Sequence, residues 1–164
     1  MLHNLKQLNS QNLSKEEKYA TATQSIRAVC HGESSMIANL ANTSAILKEI
    51  FNWHWIGFYI VADNELVLGP FQGPVACTRI SHGRGVCGTS WKTQNTIVVG
   101  NVHEFPGHIA CSSLSNSEIV VPIINNDAVL AVLDADSVNF NDFDDTDKLN
   151  LEKICSYLAK YFRT

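Results

Sequence analysis

Two predicted β-hairpins constrain the fold of this chain more than any other feature. The first has an apolar and aromatic run at residues 53–62, an Asp-Asn turn, and a returning strand at residues 66–71. The second joins residues 118–124 to residues 128–136 through an Asn-Asn-Asp turn. Asn and Asp favour such turns because they tolerate unusual backbone angles. Two hairpins of this kind predict an antiparallel sheet.

Helical periodicity flanks the hairpins. Apolar residues recur every three or four positions across residues 19–51. A second such pattern occupies residues 145–162, and Asp144 is placed to cap its first turn. The acidic run around Asp144 resembles a calcium loop in composition, but it lacks that loop's central glycine and final glutamate. A capped helix start explains it.

Shorter elements lie between the hairpins. Residues 76–81 and 96–99 predict strands, and residues 85–94 predict a short helix. The order of elements predicts an α+β fold, with a central antiparallel sheet of about six strands. We expect the N- and C-terminal helices on one face of the sheet and the long loop at residues 100–116 on the other. Loops of that length in compact domains are usually functional.

Composition bounds the class of protein. The chain has 164 residues, of which 45% are apolar and 17% charged, as expected for one globular domain. We predict an N-terminal extension over residues 1–18 and a folded domain over residues 19–164. The net charge of −4 argues against nucleic-acid binding. No apolar run is long enough for a membrane span, and the N-terminus lacks a signal-peptide pattern, so we expect a cytoplasmic protein.

Five cysteines carry no familiar spacing. None forms a CxxC pair, and the odd number argues against a structural disulfide framework. Cys111 lies in the long loop, and four interpretations stay open for it: a nucleophile, a disulfide partner, a metal ligand or a small buried hydrophobe. The positions are 30, 77, 87, 111 and 155.

Two carboxylates share a face of the last predicted strand. Alternation places Asp134 and Asp136 on the same side as Ala128, Leu130 and Val132, about 7 Å apart along the strand. Glu118 opens the partner strand and is able to join them. Burial of such a group would raise a carboxyl pKa and keep one proton at neutral pH. The alternative is a set of exposed acids at a strand end.

The first strand supplies aromatic side chains. Alternation puts Trp55, Tyr59 and Trp53 on one side with Gly57 and Val61. In one interpretation these side chains only pack the core. In the other, Trp55 and Tyr59 wall an apolar slot in which Gly57 leaves room.

Together these features fit a pocket with an aromatic wall, acids and a thiol. Acids select a cationic amine, and a protonated acid donates to an oxygen that gains charge. A thiolate that takes up oxygen becomes a sulfenic acid, which a second thiol resolves to a disulfide.

A glycine-rich stretch, Gly-Arg-Gly-Val-Cys-Gly at residues 83–88, matches the dinucleotide fingerprint. The helix that follows is too short, and no second strand ends in a ribose-binding acid about 20 residues on. A tight turn explains the glycines. It leaves Cys87 in the first turn of a helix, where the helix dipole favours a thiolate.

Four segments carry a family resemblance: LVLGPFQGPVACTRI, HGRGVCGTSW, FPGHIACSSLSNSEIVVPI and VLDADS. They resemble the free methionine-(R)-sulfoxide reductases, small enzymes with the GAF fold. The resemblance covers residues 19–162. It includes three cysteines at matching spacings, and ordinary GAF sensor domains share the fold without this triad.

The resemblance implies roles for particular residues. Cys111 matches the catalytic cysteine that attacks the sulfoxide sulfur, Cys77 a resolving cysteine, and Cys87 the third of the triad. Loop amides near Cys111 are implied to bind the substrate carboxylate. Cys30 and Cys155 match no functional position. The substrate-binding positions implied are Trp55, Tyr59, Glu118, Asp134 and Asp136.

The resemblance also implies an oxidoreductase that acts in the oxidative stress response, without cofactor or metal. Its substrate would be free methionine (R)-sulfoxide and its electron donor thioredoxin; a homodimer stays open. Two alternatives remain. One is a GAF sensor that binds a small ligand without turnover. The other is a zinc site made by Cys77, Cys87, Cys111 and His108, whose spacing is unconventional.

Overall fold

The computed structural model of the chain describes residues 13–107 and 113–162. Among these residues there are four α-helices and six strands. The helices are α1 Lys15–Cys30, α2 Met36–Phe51, α3 Gly85–Thr93 and α4 Asp145–Leu158. The strands are β1 Trp55–Ala62, β2 Glu65–Gln72, β3 Arg79–Ser81, β4 Ile97–Val99, β5 Ser117–Asn125 and β6 Ala128–Ser137.

The six strands form one antiparallel sheet in the order β3-β2-β1-β6-β5-β4. Both predicted hairpins are present, as β1–β2 and β5–β6, and they meet where β1 pairs with β6. The predicted α+β fold with a sheet of about six strands is therefore confirmed.

Each face of the sheet buries its own apolar cluster. The first contains Phe58, Ile119 and Leu133 and lies against α1, α2 and α4. This confirms the prediction that the terminal helices share a face. The second cluster contains Tyr59 and Val132 with residues from α3 and β3. The short helix α3 therefore covers the second face together with part of the long loop, whereas we expected the loop alone to do so.

The helical stretch predicted at residues 19–51 is two helices. Gly32 has a positive φ of 78° between them, and Ser35 caps α2 by accepting a hydrogen bond from the Ala38 backbone N–H. Helix α1 starts at Lys15, four residues before the predicted domain boundary at residue 19, because Ser14 and Glu17 form a capping box. Residues 1–12 of the predicted extension lie outside the described residues.

Helix α4 starts where the sequence predicted. Asp144 accepts hydrogen bonds from the backbone N–H groups of Thr146 and Asp147, and Asp147 completes a capping box. The helix ends at Leu158 and continues as a 3-10 turn, Ala159–Tyr161. The acidic run is thus a helix cap.

Two strand predictions were too long. Strand β1 starts at Trp55, and Trp53 instead joins the helical cluster, stacked on Phe51 at a centroid distance of 4.5 Å. Trp53 therefore does not share a face with Trp55. The third strand contains only Arg79–Ser81, and the Cys77 carbonyl in the segment before it accepts a hydrogen bond from the Tyr59 hydroxyl.

A β-bulge changes the facing of side chains at the start of β6. Ile123 pairs with Ala131, whereas Ile124 pairs with Val129, so one residue of β6 is unpaired between them. Val129 joins the cluster of the second face, and Leu130 packs against the helical cluster. The prediction that Leu130 shares a face with Val132 is therefore wrong.

Candidate active site

Strand register brings the predicted site residues into rows across β1, β6 and β5. Asp136 pairs with Trp55 on one side and with Glu118 on the other. In the next row of the same face, Asp134 lies between Gly57 and Val120. Acids and aromatic side chains that are about 80 residues apart in the sequence thus meet on the second face of the sheet.

These side chains line one pocket. It contains six of the eight predicted site residues, and Cys77 lies beside it in the segment that also carries Val75 and Ala76. Cys111 and His108 lie outside the described residues. The lining is Trp55, Tyr59, Val75, Ala76, Ile80, Arg84, Gly85, Val86, Cys87, Ser115, Glu118, Asp134 and Asp136.

An aromatic stack forms one wall. The rings of Trp55 and Tyr59 lie 6.0 Å apart between centroids, and Phe71 stacks on Trp55 at 5.3 Å. A Cβ atom at Gly57 would lie 2.6 Å from the Trp55 ring and 2.4 Å from the Phe71 Cβ. Gly57 therefore makes room for the indole ring and for the neighbouring strand. One interpretation of the sequence left the space over Gly57 open as a slot between Trp55 and Tyr59. In the structure the Trp55 ring itself occupies that space.

Three acids line the pocket next to the aromatic side chains, on the same face of the sheet. Glu118 and Asp134 are buried, and Asp136 is half-buried. Burial, and next the charge of Asp136, raise the pKa of both buried carboxyl groups well above their ordinary values. Glu118 and Asp134 also share a hydrogen bond. Two carboxyl groups share a hydrogen bond only if at least one of them is protonated, which agrees with the expectation of a retained proton.

Cys87 stays a thiol. Its side chain is buried, and burial, followed by the charges of Asp134 and Glu118, raises its pKa well above the ordinary value. It also shares a hydrogen bond with Asp134. The expectation that the α3 dipole makes Cys87 a thiolate is therefore wrong, because desolvation and two neighbouring acids outweigh a helix of nine residues.

The glycine-rich stretch sets the position of α3. Gly83 and Gly85 have positive φ values of 77° and 60°. A Cβ atom at Gly88 would lie 2.5 Å from the carbonyl oxygen of Ser81, so only glycine lets α3 start this close to β3. The tight-turn interpretation is confirmed, and the turn carries Cys87 into the pocket.

The aromatic wall also holds the segment between β2 and β3. The indole N–H of Trp55 donates a hydrogen bond to the Pro74 carbonyl at 3.1 Å, and the Tyr59 hydroxyl donates one to the Cys77 carbonyl at 3.0 Å. Burial raises the pKa of Tyr59 well above its ordinary value, so its hydroxyl stays protonated and able to donate. These two side chains of β1 thereby hold the backbone that carries Cys77 beside the pocket.

The described cysteines fall into two groups. Cys77 is half-buried and takes part in a disulfide bond. Cys30, Cys87 and Cys155 are free thiols. Cys30 and Cys155 lie in the helical cluster, where burial raises the pKa of each. Their burial away from the pocket agrees with a structural role.

Two polar residues of the pocket did not emerge from the sequence. Arg84 is the N-cap residue of α3 and lies exposed at the pocket's edge, and Ser115 is buried. Arg84 stands between two glycines, where the pattern indicates only a turn.

Comparisons with known proteins identify the family of the chain. The chain matches the GAF domain family over residues 16–161. It is 54% identical over 146 residues to "GAF domain-containing protein A" of Dictyostelium discoideum, covering 88% of this chain and 92% of that protein. It is 45% identical to the free methionine-R-sulfoxide reductase of Escherichia coli (strain K12), covering 93% of each.

A solved structure extends the likeness. It is an X-ray structure of the free methionine-R-sulfoxide reductase from Neisseria meningitidis in complex with its substrate. Its TM-score is 0.90 at 51% identity, covering 93% of this chain and 92% of that one. Among the described residues, no helix combines the length and apolar character needed to cross a bilayer.

Proposed function

The chain belongs to the GAF domain family and, within it, to the free methionine-R-sulfoxide reductases, which are oxidoreductases; we propose that it reduces free L-methionine (R)-sulfoxide to L-methionine. The observation that carries this proposal is the single pocket that Trp55 and Tyr59 line together with Glu118, Asp134 and Asp136. The related enzyme from Neisseria meningitidis, solved with its substrate, supports it.

The pocket suits each part of this substrate. The stacked rings of Trp55 and Tyr59 offer an apolar surface for the methyl group. The acids attract the ammonium group, and the proton that Glu118 and Asp134 retain is available to the sulfoxide oxygen. A methionine within a polypeptide has an uncharged amide in place of the ammonium group, so the acids favour the free amino acid.

The redox step falls to Cys111 and Cys77. The Cys111 thiolate attacks the sulfoxide sulfur, oxygen passes to the cysteine as a sulfenic acid, and methionine leaves. The Cys77 thiol then attacks the sulfenic sulfur, forming a disulfide and releasing water. In the net reaction two thiols lose two electrons and the sulfoxide gains them. The disulfide state of Cys77, with Cys30, Cys87 and Cys155 free, supports this pairing.

A dithiol must then restore the two thiols. Thioredoxin is the proposed donor, because its dithiol has a low enough reduction potential to reduce most accessible disulfides. Such a cycle suits the cytoplasm, where disulfides are rare and transient, and a role in the response to oxidative stress. Cys87 belongs to the proposed catalytic group as a protonated thiol that holds Asp134 in place.

The substrate carboxylate requires a partner too. Arg84 supplies a guanidinium group at the pocket's edge, and α3 begins there, where the positive end of the helix dipole favours an anion. Loop amides near Cys111 are the second proposed partner. Together these groups would hold the carboxylate of the substrate at the edge of the pocket.

The test is to incubate the protein with dithiothreitol and mixed (R)- and (S)-sulfoxides of free L-methionine. Chiral chromatography then follows the methionine formed and the epimer consumed, with Cys111→Ser as the matched variant. We expect the wild-type protein to consume the (R) epimer alone and the variant to consume neither. N-acetylmethionine sulfoxide tests the acids, and we expect it to be reduced far more slowly.

Replacing dithiothreitol with thioredoxin, its reductase and NADPH tests the electron donor. Turnover with dithiothreitol but not with thioredoxin would reject thioredoxin as the electron donor. The proposed reductase activity would still stand. No methionine from the wild-type protein, together with binding of the sulfoxide, would reject the reductase in favour of a ligand sensor.

A further inference from the structure

Three side chains of metal-binding type meet inside the pocket from three separate elements. Cys87 comes from α3, Glu118 from β5 and Asp134 from β6. The Cys87 sulfur and one carboxylate oxygen from each acid lie within 4.8 Å of one another. Each of the three residues is at most 7% exposed. The sheet and the glycine turn before α3 hold this group in position.

One oxygen of the group has no hydrogen-bond partner. The Oδ1 atom of Asp134 is buried and has no hydrogen-bond partner, so the hydrogen bonds that Asp134 shares with Cys87 and Glu118 leave this oxygen unpaired. Buried oxygen atoms are nearly always paired, so an unpaired one that borders a cavity marks a position for a ligand. The cavity has a volume of about 40 Å³, which is room for about three water molecules.

The donor set selects the kind of ligand. One thiol and two carboxyl groups suit Zn²⁺, which binds sulfur and oxygen in four-coordinate sites and takes water as its fourth ligand. Mg²⁺ and Ca²⁺ are hard cations that prefer oxygen ligands, and the sulfur of Cys87 is a poor ligand for them. Two buried acids beside the half-buried Asp136 repel each other when ionised, and a dication removes that repulsion.

We propose that Cys87, Glu118 and Asp134 bind a thiophilic divalent cation such as Zn²⁺ in the ligand-free pocket, and that the bound cation excludes the sulfoxide. Binding displaces protons from the ligands and moves no electrons. The consequence is reversible inhibition of the pocket by zinc. This goes beyond the proposed reductase activity, since the three ligands do not include Cys111 and binding needs no turnover.

The oxidised full chain is the form to test, freed of metal and without reductant. Its Cys77 disulfide keeps that sulfur from acting as a ligand, and the free thiols among the described residues are then Cys30, Cys87 and Cys155. Cd²⁺ titration reports a cysteine ligand through its ultraviolet sulfur-to-cadmium charge-transfer band. Competition with a chromogenic chelator gives the Zn²⁺ affinity, and Mg²⁺ is the control cation.

Three variants sharpen the result. Cys87→Ala should abolish the cadmium band and weaken Zn²⁺ binding by about 100-fold or more, since loss of an outer-shell partner alone costs about 10–100-fold. Asp134→Asn keeps the side-chain volume and should weaken Zn²⁺ binding too. Cys155→Ala removes a buried thiol of the helical cluster and should bind as the wild type does. Circular dichroism checks that each variant is folded.

Unchanged Zn²⁺ affinity in Cys87→Ala and Asp134→Asn, or equal binding of Mg²⁺, would overturn the proposal. Free methionine (R)-sulfoxide should reduce the intensity of the cadmium charge-transfer band of the wild-type protein. An unchanged band would overturn the claim that the cation and the sulfoxide compete for one pocket. Because the metal is measured without turnover, a failed zinc site and a failed reductase are separate results.

Discussion

The hydroxyl of Tyr59 lies 3.0 Å from the carbonyl oxygen of Cys77 and donates a hydrogen bond to it. Tyr59 belongs to β1 at the centre of the sheet, whereas Cys77 belongs to the irregular segment before β3. The same ring lines the pocket. A single side chain therefore joins the wall of the candidate site to the cysteine that we propose as the resolving thiol.

Tyr59→Phe removes this hydrogen bond and keeps the ring. We expect the burst of methionine in the first turnover to stay near the wild-type rate, because the pocket keeps its wall. Disulfide formation should slow roughly fivefold, the equivalent of about 1 kcal/mol for one hydrogen bond. Rapid-quench measurement of methionine and of free thiols separates the two steps.

Tyr157→Phe is the matched control. It also removes one tyrosine hydroxyl, but this hydroxyl shares a hydrogen bond with that of Tyr161 on the helical side of the sheet. It should leave both rates unchanged. Equal slowing of methionine formation and disulfide formation in Tyr59→Phe would show that the hydroxyl acts on the first step and does not position Cys77.

The architecture was predictable from the sequence because its signals are local. Apolar runs joined by Asn and Asp turns specify the two hairpins wherever the chain places them. Register depends on longer-range contacts, and the bulge that turns Leu130 toward the helices has no local signal. Trp53 has the alternation of a strand residue, but stacking on Phe51 places it in the helical cluster.

The same limit applies to the candidate site, where local patterns predict which side chains share a face but not their protonation. Alternation alone predicted that Trp55 and Tyr59 share one side of β1 and that Asp134 and Asp136 share one side of β6. The protonation of Cys87 was not predictable, because the acids that raise its pKa come from β5 and β6, which are distant in the sequence. The helix dipole, a local signal, pointed the other way.

Arg84→Gln tests the proposed partner of the substrate carboxylate. Loss of the guanidinium charge should raise KM for the free sulfoxide by up to about tenfold, or about 1.4 kcal/mol, and leave kcat nearly unchanged. Because Arg84 is exposed, the difference from wild type should shrink at high salt. Steady-state kinetics at two salt concentrations provide the measurement.

Arg79→Gln is the control for that substitution, since Arg79 is also exposed but pairs with Glu65 at 3.1 Å away from the pocket lining. It should leave KM unchanged. A tenfold fall in kcat for Arg84→Gln, with KM intact, would contradict a role in binding the carboxylate.

Lys15→Met tests whether the folded domain begins before residue 19. The Lys15 ammonium lies 2.6 Å from Asp147, which is buried and also accepts a hydrogen bond from Tyr19 at 2.8 Å. Without Lys15 the buried carboxylate loses its cation, so we expect the free energy of unfolding to fall by roughly 1–3 kcal/mol. Urea denaturation measures it, and exposed Lys148→Met is the control. Equal stability of the two variants would place the domain boundary after Lys15.

Asp134→Asn tests the link between the site and stability. Burial raises the pKa of the Asp134 carboxyl in the folded chain well above its unfolded value, so the folded state retains a proton that the unfolded state releases. The stability contributed by this group is therefore complete below the unfolded pKa, about 4, and is lost as pH rises toward the folded pKa.

An amide in its place does not titrate. We expect Asp134→Asn to be more stable than the wild type near pH 7.5, by about 1–3 kcal/mol, and to lose that advantage near pH 4. Denaturation in urea at several pH values measures the difference, with exposed Asp127→Asn at the β5–β6 turn as control. A constant difference across this pH range would show that Asp134 does not hold the proton. Higher stability with lost turnover would mean that the folded chain gives up stability to keep an acid at the position where we propose that the sulfoxide oxygen binds.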